Sequence, residues 1–184
     1  NDLFVTGYRS TLNPFIIASG PNSSLPHAQV TKRKFTNGDM ITIDLTLRYK
    51  GYISDATRTF GLGSISKEAV TVYEIVKESQ KAGLKAVKPG KTCGSVDDAC
   101  RKIITEYNYG SHFIHSTGHG IGLDVHENPN ISGKNKEKLK KNMAITVEPG
   151  IYIPKKIGVR IEDSLIVKNR ADVMHKFTKD FIII

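Results

Sequence analysis

Apolar residues recur at helical spacing in two segments of the chain. The first runs from Ser66 to Lys88 and stops at a Pro-Gly pair, which is a strong end signal for a helix. The second runs from Ser95 to Gly110, with Asp98 completing a variant of the capping box. Its apolar side chains fall at i, i+3, i+4, i+7, i+8 and i+11: Val96, Ala99, Cys100, Ile103, Ile104 and Tyr107. Both patterns predict amphipathic helices that pack on another layer.

Runs of β-branched and aromatic residues predict two hairpins. In the first, Met40–Leu47 and Tyr52–Phe60 flank a Lys-Gly turn. In the second, Ala144–Ile153 and Val159–Val167 flank a Pro-Lys-Lys turn. The run Phe181–Ile184 is far too short to span a membrane, and it predicts a last strand or part of one.

The two predicted hairpins repeat a pattern in which apolar strands end on acids. Residues 41–44 read ITID, residues 145–148 read ITVE, and the return strands carry Asp55 and Glu162. Two predicted helices precede the second copy, whereas residues 1–39 have little helical pattern. If the halves are duplicates, the first half lacks its helix pair. We therefore expect an α+β fold and a chain, residues 1–184, that begins inside its domain.

Length and composition are those of an ordinary soluble domain. A chain of 184 residues can bury a core, and 39% hydrophobic with 24% charged residues is typical of globular proteins. No apolar run approaches the roughly 18–20 residues of a membrane span, and no signal-peptide pattern opens the chain. On one helix, Cys93 and Cys100 would have Cα atoms about 10 Å apart, too far for a disulfide. We therefore expect reduced thiols in a cytoplasmic protein without a membrane partner.

The net charge of +9 raises the question of a nucleic-acid partner. Basic residues cluster at 32–34 and along 134–141. Nucleic-acid binding requires interleaved aromatic residues or a known recognition module, and neither is visible. We interpret the clusters as solvated turn and helix surface, and we predict no nucleic-acid partner.

Acids on the predicted strands are the first candidate functional residues. Asp55 and Glu162 could simply be exposed edge residues, as a lone acid on a strand usually is. Asp44 and Glu148 each follow three β-branched residues, which is a pattern of buried strands. Buried carboxylates brought together repel one another, and a divalent cation removes that cost. Acids with an occasional histidine suit ions such as manganese and can bridge two of them.

A glycine-rich segment, STGHGIGLDVHE at residues 116–127, supplies the candidate fifth ligand. His119 stands between two glycines, whose bare backbone lets the imidazole approach another group closely. His126 lies seven residues later, so a bulge or bend is needed to direct both rings to one site. A phosphate-binding loop is disfavoured, because the spacing is not G-x-G-x-x-G.

Other histidines carry weaker signals. His27 lies in the turn-rich segment SGPNSSLPHA, and loops often carry functional residues, although an exposed loop histidine is the simpler explanation. We assign no role to His112, and a supporting role for His115 stays open.

Five segments in series resemble the Xaa-Pro branch of the pita-bread metallopeptidases, which contains prolidase and Xaa-Pro aminopeptidase. They are SGPNSSLPHA, ITIDLTLRYKGYISDATRTF, STGHGIGLDVHENP, ITVEPGIYI and GVRIEDSLIV, and with their spacing they cover nearly the whole chain. Methionine aminopeptidase shares the fold and the ligands. However, NSSLPHA, SDATRTF and especially VRIED resemble the proline-specific branch.

The resemblance implies a metal-dependent exopeptidase that cleaves between an N-terminal residue and a following proline. It implies two divalent ions, most simply manganese with cobalt or zinc as alternatives, which share a hydroxide that attacks the scissile carbonyl. Asp44 and Glu162 would bridge the ions or lie beside both. Glu148 would also shuttle a proton, and His27 and His126 would bind the substrate and stabilise the tetrahedral intermediate. The implied ligands are Asp44, Asp55, His119, Glu148 and Glu162.

Two departures from the family pattern qualify these expectations. Asn130 stands where many prolidase-like members carry an arginine suited to a substrate's free carboxylate, so peptides longer than dipeptides remain open as substrates. Family members also place an N-terminal domain and a first helix pair ahead of this region. A homodimer of the full-length protein is compatible with the resemblance. The alternatives are a methionine aminopeptidase and a non-catalytic binding module, and the intact ligand set disfavours the second.

Overall fold

The computed structural model describes residues 9–10 and 15–184. In this part of the chain the α-helices are α1 (Lys67–Ala86) and α2 (Cys93–Glu106), and short 3-10 helices span Gly20–Ser24 and Gly110–His112. The strands, in chain order, are β1 (Arg9–Ser10), β2 (Ile16–Ser19), β3 (Met40–Tyr49), β4 (Tyr52–Gly61), β5 (Gly118–Gly120), β6 (Glu127–Ile131), β7 (Ala144–Val147), β8 (Gly150–Ile153), β9 (Ile157–Arg160), β10 (Asp163–Val167) and β11 (Ala171–Val173).

The first predicted hairpin is confirmed as β3 and β4. Lys50 and Gly51 form its turn with positive φ, and Asp44 pairs with Thr57 while Thr46 pairs with Asp55. Directly opposed residues of an antiparallel pair face the same side, so both acids lie on one face. β1 and β2 pair with the other edge of β3. No α-helix precedes β3 within residues 15–39, and residues 1–8 and 11–14 lie outside the described residues.

The second hairpin is interrupted, so the prediction of two continuous strands is wrong. β8 pairs with β9 in a two-stranded sheet, whereas β7 pairs with β10 in a sheet of order β11-β10-β7-β5-β6. The breaks occur at Glu148-Pro149 and at Glu162. The reason is that the N–H of Glu148 donates to the Thr117 carbonyl at 2.7 Å and that of Glu162 donates to the Thr57 carbonyl at 3.0 Å. Pro149 has no N–H to continue the ladder.

The two hairpins join along β4 through hydroxyl groups rather than through a regular backbone ladder. Asp55 N and O bond the Ser164 hydroxyl at 3.3 and 2.8 Å. Thr59 Oγ1 donates to the Arg160 carbonyl at 2.9 Å and accepts from the Arg160 N–H at 3.1 Å. This seam sets Asp55 of β4 opposite the segment that carries Glu162.

Both helices are confirmed, but both predicted ends of the second one are corrected, since α2 ends at Glu106 rather than at Gly110. Ser66 caps α1, because its side chain accepts from the N–H of Ala69. α2 begins at Cys93, and Thr92 is its cap, accepting from the N–H of Ser95 at 3.1 Å. The interpretation of Ser95 and Asp98 as a capping box is therefore wrong. No helix among the described residues is both long and apolar enough to cross a bilayer.

The helices pack on the larger sheet and enclose the core. α1 and α2 approach so closely that a Cβ on Gly83 would lie 2.4 Å from Cys100 Sγ. Cys93 and Cys100 are buried free thiols, as expected. The core includes Met40, Val72, Val76, Val96, Ile104, Ile145, Val147 and Leu165.

A buried ion cluster connects the C-terminal segment to both hairpins. Asp163 is fully buried, and its Oδ1 accepts from Arg58 Nη2 at 2.7 Å. Its Oδ2 accepts from Gln80 Nε2 at 2.9 Å and is paired with Lys179 Nζ. The cluster thus binds β4, α1, β10 and the segment after β11 to one another.

The apolar C-terminal run lies beside β4 in a parallel bridge. Gly61 N donates to the Ile182 carbonyl and Ile184 N donates to the Gly61 carbonyl, both at 2.9 Å. The run forms an isolated bridge with β4 rather than a regular strand, which partly confirms the predicted last strand.

Candidate metal centre

The five predicted ligands line one cavity of about 900 Å³. β3 and β4 contribute Asp44 and Asp55, β5 contributes His119, and the two strand breaks contribute Glu148 and Glu162. The acids that interrupt the second hairpin therefore lie where backbone pairing stops and side chains can turn inward. The structure brings together residues that are up to 118 positions apart in the chain (Asp44 to Glu162).

Three of these side chains could share one ion as they stand. Ligand atoms of Asp55, His119 and Glu162 all lie within 4.8 Å of one another. His119 Nε2 is 3.2 Å from Glu148 Oε1 and 3.9 Å from Asp55 Oδ2. Asp44 is bound by Arg160, because its Oδ2 accepts from Arg160 Nη2 at 2.7 Å.

Two carboxylate oxygens indicate that the site fits a cation. Asp44 Oδ1 and Glu162 Oε1 are buried and have no hydrogen-bond partner among the described residues. A buried polar atom without a partner carries a desolvation cost of about 1–3 kcal/mol, and more if it is charged. Bound metal removes that cost, and carboxylate oxygens with one imidazole are suitable ligands for divalent ions.

The acids also destabilise one another's charged forms. Burial, together with the charges of Asp44 and Glu148, raises the pKa of Asp55 to about 8. Burial and the neighbouring carboxylates raise the pKa of Glu162 well above its ordinary value. Such shifts arise where like charges are enclosed together, and a cation reverses them.

His119 and Glu148 each stabilise the charged form of the other. Burial lowers the pKa of His119, but the hydrogen bond to Glu148 and the charges of Glu148 and Asp55 raise it overall. For Glu148, burial raises the pKa, but the bond to His119 and nearby positive charges lower it overall. His119 Nδ1 lies 2.9 Å from the Gly120 carbonyl and must donate to it, so Nε2 is the nitrogen available to a metal.

The glycines around His119 are required by neighbouring strands. A Cβ on Gly118 would lie 2.1 Å from the Thr146 carbonyl, and one on Gly120 would lie 2.3 Å from the Asn128 carbonyl. β5 lies between β6 and β7, and its register with β6 shifts between the two glycines. The predicted irregularity between His119 and His126 is confirmed, because the chain bends over residues 122–126.

The other predicted histidines differ in their position. His27 and His126 are exposed and line the cavity, and the His126 ring centroid is 4.4 Å from that of His119. His115 also lines the cavity, and its Nε2 bonds Tyr152 Oη at 2.9 Å. His112 lies outside the cavity.

Sequence reasoning missed Arg160 and Tyr152. Arg160 is buried, and its Nη1 donates to Tyr152 Oη at 2.9 Å and to the Pro26 carbonyl at 3.2 Å, one residue before His27. It therefore connects Asp44 to the loop of His27. The sequence signal for Arg160 was its position two residues before Glu162 in an apolar run. Alternate residues of a strand share a face, so the cation could be expected on the side of the acid.

Metal-free protein should lose stability as the pH rises. The folded pKa of Asp55 is about 8, above the ordinary 3.8, so its contribution to the free energy of unfolding is present below about pH 4 and is lost as the pH rises through 8. Urea unfolding with a chelator at about pH 5 and about pH 8 should show this decrease, and Mn²⁺ should reverse it at the higher pH. The Asp55→Asn variant should flatten the dependence; an equal slope in both proteins would contradict the assignment.

Comparison with known proteins identifies relatives over most of the chain. Residues 4–169 match the sequence model of a protein family described as "Metallopeptidase family M24". An Xaa-Pro dipeptidase of Pyrococcus furiosus is 48% identical over 168 residues, 91% of this chain and 48% of the relative. A putative Xaa-Pro aminopeptidase of Mycoplasma genitalium is 43% identical over 169 residues, 91% of this chain and 48% of the relative. The chain thus spans about half the length of the curated relatives it matches.

The solved structure of a similar protein has the same fold as this chain. The Xaa-Pro dipeptidase from Bacillus anthracis superimposes with a TM-score of 0.96 at 43% identity, covering 99% of this chain and 52% of that one. The predicted α+β pita-bread class is confirmed by this likeness. The matched range, the identity and the shared fold together place the chain in metallopeptidase family M24.

Proposed function

We propose that this chain forms the catalytic domain of a metal-dependent exopeptidase that cleaves between an N-terminal residue and a following proline. The observation that carries the proposal is the meeting of Asp44, Asp55, His119, Glu148 and Glu162 in one cavity. Two of their buried carboxylate oxygens have no hydrogen-bond partner in residues 9–10 and 15–184. Relatives named Xaa-Pro dipeptidase and Xaa-Pro aminopeptidase support the substrate class.

The five side chains would hold two divalent ions. Four carboxylates carry more negative charge than one divalent ion balances, and two ions would match them. Carboxylates with one imidazole suit Mn²⁺, with Co²⁺ or Zn²⁺ as alternatives. When bound, such ions lower the pKa of a water molecule and polarise the scissile carbonyl.

Glu148 is the proposed proton carrier. Its pKa is lowered, so the group is a carboxylate at neutral pH, and it lies half-buried beside His119 in the cavity. It would take a proton from the attacking water and give it to the nitrogen of the leaving proline.

His27 and His126 would bind the peptide from the open side of the cavity. Burial and the neighbouring His119 lower the pKa of His126, so a neutral imidazole remains that can donate one hydrogen bond. Donors directed at the carbonyl oxygen stabilise the negative charge that develops on it. Both rings are exposed, which leaves them accessible to substrate.

The substrate assay separates this proposal from methionine aminopeptidase activity. With Mn²⁺, the protein should hydrolyse Xaa-Pro dipeptides and Xaa-Pro tripeptides, and a chelator should abolish both reactions. Tripeptides are included because Asn130, an exposed neutral residue, lines the cavity where a cation would select a free carboxylate. Cleavage of N-terminal methionine peptides alone would contradict the substrate class. No hydrolysis despite bound metal would favour a non-catalytic binding module.

The proposal also includes the cellular compartment and the oligomeric state of the protein. We expect a cytoplasmic enzyme, since both cysteines are buried free thiols, and the homodimer remains a prediction for the full-length protein.

A further inference from the structure

Thr57 lies between Glu162, a candidate metal ligand, and Arg160, which binds the ligand Asp44. The residue is fully buried on β4, where it pairs with Asp44. Its Oγ1 is 2.6 Å from Glu162 Oε2 and 3.1 Å from Arg160 Nε. The hydroxyl is therefore in contact with one candidate metal ligand and with the cation that binds another.

The direction of these two hydrogen bonds is determined by the groups themselves. An arginine Nε–H can only donate, so Thr57 Oγ1 accepts from Arg160. The single hydroxyl proton is then left for Glu162, and Oε2 must accept it. The chain of donors runs from Arg160 through Thr57 to Glu162, and it requires Glu162 Oε2 to be unprotonated.

Thr57 also binds the backbone of Glu162, since its carbonyl accepts the Glu162 N–H at 3.0 Å. Both the main chain and one carboxylate oxygen of Glu162 are thus bound by a single residue. The second oxygen, Oε1, is buried and has no hydrogen-bond partner within the described part of the chain. This division assigns Oε2 to the protein and leaves Oε1 free for a ligand.

We propose that Thr57 is a positioning residue, which orients the Glu162 carboxylate so that Oε1 faces the metal centre. The inference rests on the proposed metal site. Partners that orient metal ligands typically contribute about 10–100-fold to metal affinity. We expect a loss of this size when the hydroxyl of Thr57 is removed.

Three variants test the role of the hydroxyl. Thr57→Val removes it at nearly constant volume, and Thr57→Ser retains it. Thr59→Val is the matched control, because Thr59 is equally buried on the same face of β4, but its hydroxyl bonds the backbone of Arg160 and no metal ligand. Mn²⁺ affinity is measured by titration calorimetry, thermal unfolding with a chelator reports the structural cost, and kcat and KM are measured for an Xaa-Pro peptide.

The expected result separates positioning from general stability. Thr57→Val should bind Mn²⁺ about 10–100-fold more weakly and lose kcat more than it raises KM, while Thr57→Ser and Thr59→Val stay near the parent affinity. Equal affinity losses in Thr57→Val and Thr59→Val, or none in Thr57→Val, would overturn the inference. Failure of the parent protein to bind Mn²⁺ would instead overturn the proposed function.

Discussion

Alanine in place of His119 should abolish metal-dependent hydrolysis of Xaa-Pro peptides. The Nε2 atom of His119 lies within reach of both Asp55 and Glu148, and it is the only imidazole nitrogen in the predicted ligand set. Metal ions contribute several kcal/mol to transition-state stabilisation, so turnover should decrease by about 1,000-fold or more. Steady-state kinetics with saturating Mn²⁺, together with calorimetric metal titration, measures both effects.

His112→Ala is the matched control for this experiment. His112 lies outside the cavity in a short 3-10 helix, and its removal should leave turnover and metal affinity unchanged. Unaltered turnover in His119→Ala would rule out the site as described. A His119→Ala variant that retains its thermal unfolding profile but loses metal would support it.

Asparagine in place of Asp163 should cause a large decrease in the free energy of unfolding. The substitution keeps the shape of the side chain but removes the charge that compensates Arg58 and Lys179. Breaking a buried ion pair typically costs about 3–5 kcal/mol, because the remaining charge is left without a partner. Chemical denaturation in the presence of a chelator measures this difference without a contribution from metal.

The pH dependence of Asp163 provides a second check. Burial raises its pKa, but the neighbouring His175, Lys179 and Arg58 lower it to about 2. Since the folded pKa is below the ordinary 3.8, the contribution to stability is present above about pH 4 and is lost as the pH falls through 2. The Asp163→Asn protein should lack this part of the acid dependence.

Asp180→Asn is the surface control for Asp163→Asn. Asp180 pairs with Lys77 at 3.3 Å, but its side chain is 84% exposed. Exposed ion pairs contribute little to stability because solvent screens them, so this variant should unfold close to the parent protein. Equal losses in the two variants would contradict a special role for the buried cluster.

Local patterns were sufficient to predict both helices and the first hairpin, which carries Asp44 and Asp55. The period of apolar residues located both helices, and β-branched runs around a Lys-Gly turn located β3 and β4. The residue types of the ligand set were also visible, since an acid after three β-branched residues conflicts with a buried strand unless it has a function. These features depend on neighbours in sequence, which act through backbone conformation and alternation of faces.

The boundaries of the elements were predicted less well than the elements themselves. α2 begins two residues before Ser95, because Thr92 is its N-cap and its side chain accepts from the N–H of Ser95. The second hairpin breaks at Glu148 and Glu162 because their N–H groups donate to Thr117 and Thr57, respectively. The bonds of Glu148 and Glu162 join distant parts of the chain, and a local sequence pattern contains no record of them.

The sequence by itself determined the two helices and the first hairpin, because these follow from local periodicity, and it indicated the candidate metal ligands through residue chemistry and family resemblance. Only the tertiary structure decided how the acids are arranged and held. Thr57 meets Glu162 across 105 positions, and Arg160 meets Asp44 across 116. Contacts at such separations form when the two hairpins pack along β4, and they settle which carboxylate oxygens are paired and which remain free for a cation.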